Sequence, residues 1–312
     1  MRKFKVVLLT LCLGVVVLTG CRKSETGALR IAVLPILDTL PLYVAEAEGY
    51  FAAQGVAVEL IPAASAAERD QLLQAGQIDG FITDLVALAL YNRESTQVVA
   101  VRYAMVPTAD FAQFRILAAA QSGITTVEGL RGVPIGVSEG TVIEYVTHRL
   151  LEAEGLPTEA IATLPVPRIP DRMALLDTGE LRAATLPEPL ASLAIQQGAV
   201  LITDDTRHLE IACSLYAFRK EIIDQQPQTV RAFLTAIDQA SAAINADKSR
   251  WGDLLTEKGL VPAPLAGAYI LPDYPADAVP TAAQFADAVA WLQATGRLKV
   301  APTYEDSVDS RR

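Results

Sequence analysis

The chain has 312 residues, 51 % of them hydrophobic and 20 % charged, with 26 basic against 36 acidic side chains and a net charge of −10. That balance argues against a nucleic-acid partner, because such binding depends on neutralising phosphates with Lys and Arg. Length and apolar content are enough for a sizeable core, most simply divided between two lobes.

The first element predicted is a targeting segment. Arg2, Lys3 and Lys5 precede an apolar run from Val6 to Leu18, which Leu18-Thr19-Gly20-Cys21 closes. This is the layout of a signal peptide, expected over residues 1–20, and the run is too short to span a membrane, which takes about 20 apolar residues. Its end resembles the lipobox of bacterial lipoproteins. That resemblance implies that Cys21 is lipidated and holds the chain at the cell membrane on its extracytoplasmic face. Without residues 1–20 the chain has 23 basic and 36 acidic residues, a net charge of −13. Cys12 leaves with the signal and Cys21 is the anchor, so Cys213 stands alone within the fold. No disulfide is expected inside one mature chain, and a monomer is expected.

Residues 21–28 read as a polar tether. Leu29 to Pro35 reads as a buried strand, Pro41 to Phe51 as a helix, and Ala57 to Pro62 as the next strand. Ser65 and Glu68 form a capping-box pattern, starting a helix that stops near Gly76. Gly80 to Thr83 is a third strand, with Asp84 placed to cap the following helix. The pattern then restarts with strands at Pro134–Val137, Ile161–Pro165 and Ala183–Leu186. The intervening helices are Thr141–Ala153, Asp171–Asp177 and Pro189–Gln197. Such alternation indicates parallel α/β sheets. LLQAGQIDGFITDLVALAL (72–90) and LLDTGELRAATLPEPLASL (175–193) share a spacing that suggests two lobes of one construction. Residues 227–245 and 281–295 are long amphipathic segments, and crossings between lobes are expected near Phe114–Ala120 and Ile211–Phe218. The expected division is lobe 1 over 29–116 plus 215–302, lobe 2 over 117–214, and a polar, frayed tail over 303–312.

Taken in order, the lipobox, LRIAVLPILDTLPLYVAEAEGYFAAQGVAVELIP, GQIDGFITD, LRGVPIGVSEGT, TLPEP and FRKEIIDQQPQTVRAFLTAIDQA resemble type 2 periplasmic binding proteins of ABC importers. The resemblance is to the nitrate/sulfonate/thiamine-precursor branch. It implies an α/β fold of two mixed sheets joined by two crossing strands, a hinge between them, a small-molecule ligand and membrane permease subunits as partners. Within the branch the chain looks closest to binders of heteroaromatic vitamins or their precursors.

Open α/β lobes bind ligands beyond the carboxyl ends of their strands. Asp38, Thr39 and Tyr43 follow the first strand, and Thr83 and Asp84 the third. Ser138, Gly140 and Thr141 lie where a strand feeds a helix, so that free backbone N–H groups could meet an acceptor. Glu188 sits between two prolines, and Tyr103 and Tyr216 are candidates for stacking faces. Asp84, Ser138 and Thr141 have an equally direct reading as helix caps, and each tyrosine one as core or surface. Asp38, Asp84, Glu139 and Glu188 are acceptors, and none of these loops carries Arg or Lys, although Arg102, Arg115, Arg168 and Arg172 lie near them in sequence. Carboxylates with tyrosines suit a neutral or cationic ring with N–H or O–H donors: riboflavin first, formylaminopyrimidine second. A sulfonate, taurine or nitrate is the alternative, and would gain from bidentate Arg. An enzyme on the same fold is a further alternative. The pyrimidine-synthase relatives use a His and a Cys-rich motif, whereas the histidines here, His148 and His208, lie outside the strand-end loops. No metal-ligand, nucleophile–base or cofactor motif is read, and no cofactor is expected.

Overall fold

A computed structural model describes residues 27–275 and 277–309. Short apolar runs separated by capped helices leave the backbone one economical solution, a sheet covered on both faces. The strands are β1 Leu29–Val33, β2 Val58–Pro62, β3 Gly80–Thr83, β4 Val98–Met105, β5 Phe114–Ala118, β6 Pro134–Val137, β7 Ala162–Pro165, β8 Ala183–Pro187, β9 Val200–Asp204 and β10 Ser214–Arg219. The helices are α1 Leu40–Ala47, α2 Tyr50–Ala53, α3 Ala66–Gln74, α4 Leu85–Tyr91, α5 Val142–Ala153, α6 Ile169–Thr178, α7 Leu190–Gln196, α8 Lys220–Gln225, α9 Pro227–Ala246, α10 Gly252–Glu257, α11 Ala282–Ala294 and α12 Tyr304–Ser307. Among the described residues no helix is long and apolar enough to cross a membrane.

The strands form two mixed sheets of identical plan, ordered β2-β1-β3-β10-β4 and β7-β6-β8-β5-β9. In each, three parallel strands are followed by an antiparallel one that the chain delivers from the other lobe. The sheets are therefore tied by β5 and β10. β5 lies wholly in the second sheet and β10 in the first, so the crossings occupy 106–113 and 205–213, a few residues before the boundaries expected from sequence.

The duplication extends to single hydrogen bonds. Arg69 on α3 donates Nη1 to the Ile82 carbonyl of β3 at 2.9 Å, and Arg172 on α6 donates Nη1 to the Thr185 carbonyl of β8 at 2.6 Å. Both pairs are 13 residues apart, and each arginine lies three residues before the start of its similar segment. A buried guanidinium thus braces helix to sheet in each lobe. Packing at β3 is tight: a Cβ on Gly80 would meet Phe218 at 2.7 Å and Ile31 at 2.9 Å.

Local signals set the helix starts. Ser65 Oγ accepts from Glu68 N at 3.2 Å, while the Glu68 carboxylate takes Ala64 N rather than closing the box on Ser65 itself. The first sheet is covered by α1, α2 and α9 on one face, where Phe51 stacks on Phe233 with centroids 5.5 Å apart. On its other face α4 and α11 continue into the core shared with α5 of the second lobe.

The described end of the chain is no frayed tail. Thr303 caps α12, Val308 bridges to Ala100 of β4, Asn92 Nδ2 donates to Ser307 Oγ at 3.1 Å, and Ser307, Val308 and Asp309 are buried. A polar composition concealed a docking segment.

Candidate ligand-binding site

The two crossings are stitched together where the chain passes between the lobes. Asp205, fully buried on the second crossing, accepts Gln113 N at 2.9 Å and Phe114 N at 3.1 Å from the first. Burial pushes its carboxyl up to about 7. The Gln113 amide donates to Ser214 Oγ at 2.7 Å and approaches Asp38 Oδ1 at 3.4 Å. Its side-chain Oε1 is buried without a partner.

Glu188 adjoins this cluster because its backbone N–H donates to the Gln113 carbonyl at 3.0 Å. Its side chain is 2 % exposed. Tyr269, on the first lobe, donates its hydroxyl to Glu188 Oε2 at 3.2 Å. Arg115 Nε lies 3.0 Å from Oε1 as an ion pair, without the alignment of a hydrogen bond, so that oxygen is a buried acceptor with capacity to spare. Tyr274 anchors the loop that carries Tyr269 by donating to the Leu37 carbonyl at 2.7 Å. Burial raises the Asp38 carboxyl above its ordinary range, opposed by a hydrogen bond from Ser214. Asp38 in turn contributes to raising the hydroxyl pKa values of Tyr216, Tyr269 and Tyr274.

Of the residues singled out from sequence, the structure therefore gathers Asp38, Glu188 and Tyr216 near one another, with Thr39 beside Asp38 in the chain and Thr83 opposite Leu215 across β3 and β10. Tyr216 is fully buried and packs edge-on against Phe233 at 6.1 Å, so it offers an unpartnered hydroxyl and no flat face. Tyr103 donates its hydroxyl to Gln284 at 2.9 Å, beside α11. Tyr43 lies beneath Lys258, whose ammonium is 5.3 Å from the ring centre. Thr39 Oγ1 is spent on the Leu34 and Ile36 carbonyls, whereas Thr83 Oγ1 is buried without a partner.

The cap readings hold at Asp84 and Thr141, whereas Ser138, on the same loop as Thr141, caps no helix. Asp84 accepts Ala87 N at 2.9 Å. Thr141 accepts Ile143 N at 3.2 Å and donates to the Ser138 carbonyl. Ser138 donates to the Pro167 carbonyl and accepts from Arg172 Nη2 at 2.6 Å. Gly140, with φ +72°, keeps the left-handed conformation expected of a glycine at such a turn. Its N–H does not await a ligand, because the chain's own Glu144 takes it at 2.6 Å.

The nearby arginines are also committed. Arg102 pairs with Asp238 and Asp277, Arg168 with Asp171 at 3.6 Å, and Arg172 donates to two carbonyls and Ser138. Burial pulls the Arg172 guanidinium down to about 10. Gln113, Ser214 and Tyr269 were not legible as site candidates, since their partners lie 75 to 101 residues away along the chain. Cys21 falls outside the described residues. Among those residues no group of His, Cys, Asp and Glu could hold a metal ion.

Comparison with known proteins agrees with this architecture. The alkanesulfonate-binding protein SsuA from Xanthomonas axonopodis pv. citri, bound to MOPS, superposes with a TM-score of 0.75 at 18 % identity, covering 92 % of this chain and 99 % of that one. The periplasmic aliphatic sulphonate binding protein SsuA from Escherichia coli gives 0.74 at 20 % identity, covering 88 % and 89 %. The desulfurization enzyme DSZB gives 0.63 at 16 % identity, covering 90 % and 96 %, so the fold serves catalysis as well as binding. No curated protein matches the sequence. The fold is that of periplasmic binding proteins, and the model of the NMT1-like family matches residues 22–251, nearly three-quarters of the chain: the chain belongs to the NMT1-like family.

Proposed function

We propose that this chain is the extracytoplasmic solute-binding component of an ABC importer, lipid-anchored through Cys21, which captures a small molecule between its lobes and delivers it to membrane permease subunits. The ligand we propose is a neutral or cationic heteroaromatic ring bearing N–H or O–H donors. One observation carries this reading: the buried acceptors Asp38, Gln113 Oε1 and Glu188 Oε1 converge at the hinge with the Tyr216 hydroxyl, and Arg115 is the cation paired there. Of these acceptors, Gln113 Oε1 and Glu188 Oε1 receive no hydrogen bond; each buried acceptor left so costs about 1–3 kcal/mol, which a donor-bearing ligand would recover. Sequence ranks riboflavin first. With Tyr216 packed against Phe233 and Tyr103 tied to Gln284, the two stacking faces that favoured a flavin are engaged elsewhere. We therefore place the smaller aminopyrimidine ahead of riboflavin.

The second reading is an oxyanion such as an alkanesulfonate. The likeness to two sulfonate-binding proteins and the presence of Arg115 favour it. Three features weigh against it: Arg115 already faces Glu188, Arg172 is a brace, and Glu144 fills the N–H of Gly140. An enzymatic role has the DSZB likeness in its favour but no nucleophile–base or metal constellation among the described residues. The test is to purify the exported protein, denature it, and identify the released small molecule by absorbance and mass spectrometry. An aminopyrimidine or a flavin supports the proposal, and a sulfonate or nitrate overturns the ligand class.

A further inference from the structure

The lobes also meet along a second, polar contact. There α5 of the second lobe faces α11 of the first. Tyr145 donates its hydroxyl to Asp287 Oδ2 at 2.7 Å, and Arg149 grips the same carboxylate with Nε at 2.8 Å and Nη2 at 2.9 Å. Arg297, just beyond α11, reaches back to Glu144 at 3.0 Å and Glu139 at 3.2 Å. Trp291 packs between them, 5.6 Å from the Tyr145 ring and 5.4 Å from the Arg297 guanidinium. Each ion pair and hydrogen bond here, and the Tyr145–Trp291 ring contact, has one member on each lobe; only Trp291 and Arg297 share the first. Beneath them, Leu85 and Val86 of α4, Val142 and Tyr145 of α5, and Ile211 and Cys213 of the return crossing line a mostly apolar, closely packed seam.

We infer that Asp287 with Tyr145 and Arg149, and Arg297 with Glu139 and Glu144, form an electrostatic latch that holds the lobes closed, so that opening of the cleft is controlled by ionic strength. Lobe separation must break all of these contacts together, since neither lobe contains both partners of any pair. Asp287 and Glu139 are about half exposed and Arg149 and Arg297 about a quarter, so salt reaches the latch and screens it. The apolar seam below has no charge to screen, and salt does not loosen it. The inference deepens the proposed function by adding a control on the same cleft. Its test uses no solute, so the two fail separately.

Cys213 supplies the readout. It is buried in the seam, and burial raises its thiol pKa, so it reacts only when the seam parts. In the exported protein carrying Cys21→Ser, with residues 1–20 removed, it is the one thiol. The rate of its reaction with an aromatic disulfide reagent is measured against urea and against sodium chloride. The latch predicts labelling through a local opening, with a shallower urea dependence than global unfolding followed by circular dichroism. Combining Asp287→Asn with Arg297→Gln should raise the rate roughly tenfold, equivalent to about 1.4 kcal/mol. Molar sodium chloride should raise the wild-type rate severalfold and leave the double variant nearly unchanged. Equal rates in wild type and variant, or labelling that tracks global unfolding in both, would overturn the latch. If the variant does not fold, the salt series on the wild type decides, and a salt-insensitive rate refutes it.

Discussion

Asp205 makes the stability of this protein depend on pH in a direction opposite to the usual carboxylate. Its group is raised to about 7 by burial, against roughly 3.9 in an unfolded chain. Between those values the folded protein holds a proton that the unfolded chain has released. The stabilisation is therefore complete below about pH 4 and is lost as pH rises through about 7. At 1.36 kcal/mol per unit, the shift corresponds to roughly 4 kcal/mol as a ceiling. Asp38 and Asp84 are raised as well, while burial lowers His148 and works the other way, so a wild-type profile alone mixes several groups. The difference from Asp205→Asn isolates one. Asn can accept only one of the two N–H bonds from Gln113 and Phe114, so the variant should lose about 1–3 kcal/mol at pH 5. Its stability should then vary less than that of the wild type between pH 5 and pH 8, bringing the two curves together at alkaline pH. Urea titrations followed by circular dichroism at pH 5, 6, 7 and 8 provide the comparison. Parallel curves across that range would refute a protonated Asp205 at the hinge.

Three further outcomes are expected. Gly80→Ala forces a methyl against Phe218 and Ile31 in a sheet with no slack, and should cost about 1–3 kcal/mol, seen as a lower Tm. Tyr216→Phe removes a buried hydroxyl that has no protein partner, so thermal unfolding should show unchanged or higher stability, while calorimetry should show weaker solute binding. Cys21→Ser should convert a membrane-associated protein into one released on cell fractionation; wild-type protein found free of membranes would contradict the lipid anchor.

The supersecondary order was legible because its signals are local. Ser65, Asp84 and Thr141 each cap the helix that their spacing announced, and Leu72–Leu90 and Leu175–Leu193 fold into matching helix–strand–helix units. What escaped depends on contacts distant in sequence. No strand is predicted over 200–204, yet β9 forms there by pairing with β5. The polar 303–309 segment docks through Asn92, 215 residues before Ser307. At the site, chemistry alone could not separate caps from ligand contacts. Thr141 and Glu188 both occupy strand-end loops, but Thr141 is satisfied by its own helix, whereas Glu188 meets Arg115 and Tyr269 from elsewhere in the chain. Gln113 carries no local signal, because its partner Ser214, the first residue of β10, lies 101 residues on.

Isothermal titration of the wild type and Glu188→Ala with an aminopyrimidine, riboflavin, methanesulfonate and nitrate decides which ligand class the hinge acceptors take. The wild type should bind one equivalent of a donor-bearing ring, aminopyrimidine ahead of riboflavin. Loss of the Glu188 carboxylate should weaken that binding by about one to two decades, the cost of roughly 1–3 kcal/mol for one buried partner. Binding of methanesulfonate or nitrate without either ring, or a Glu188→Ala chain that binds the ring as tightly as the wild type, would contradict that assignment.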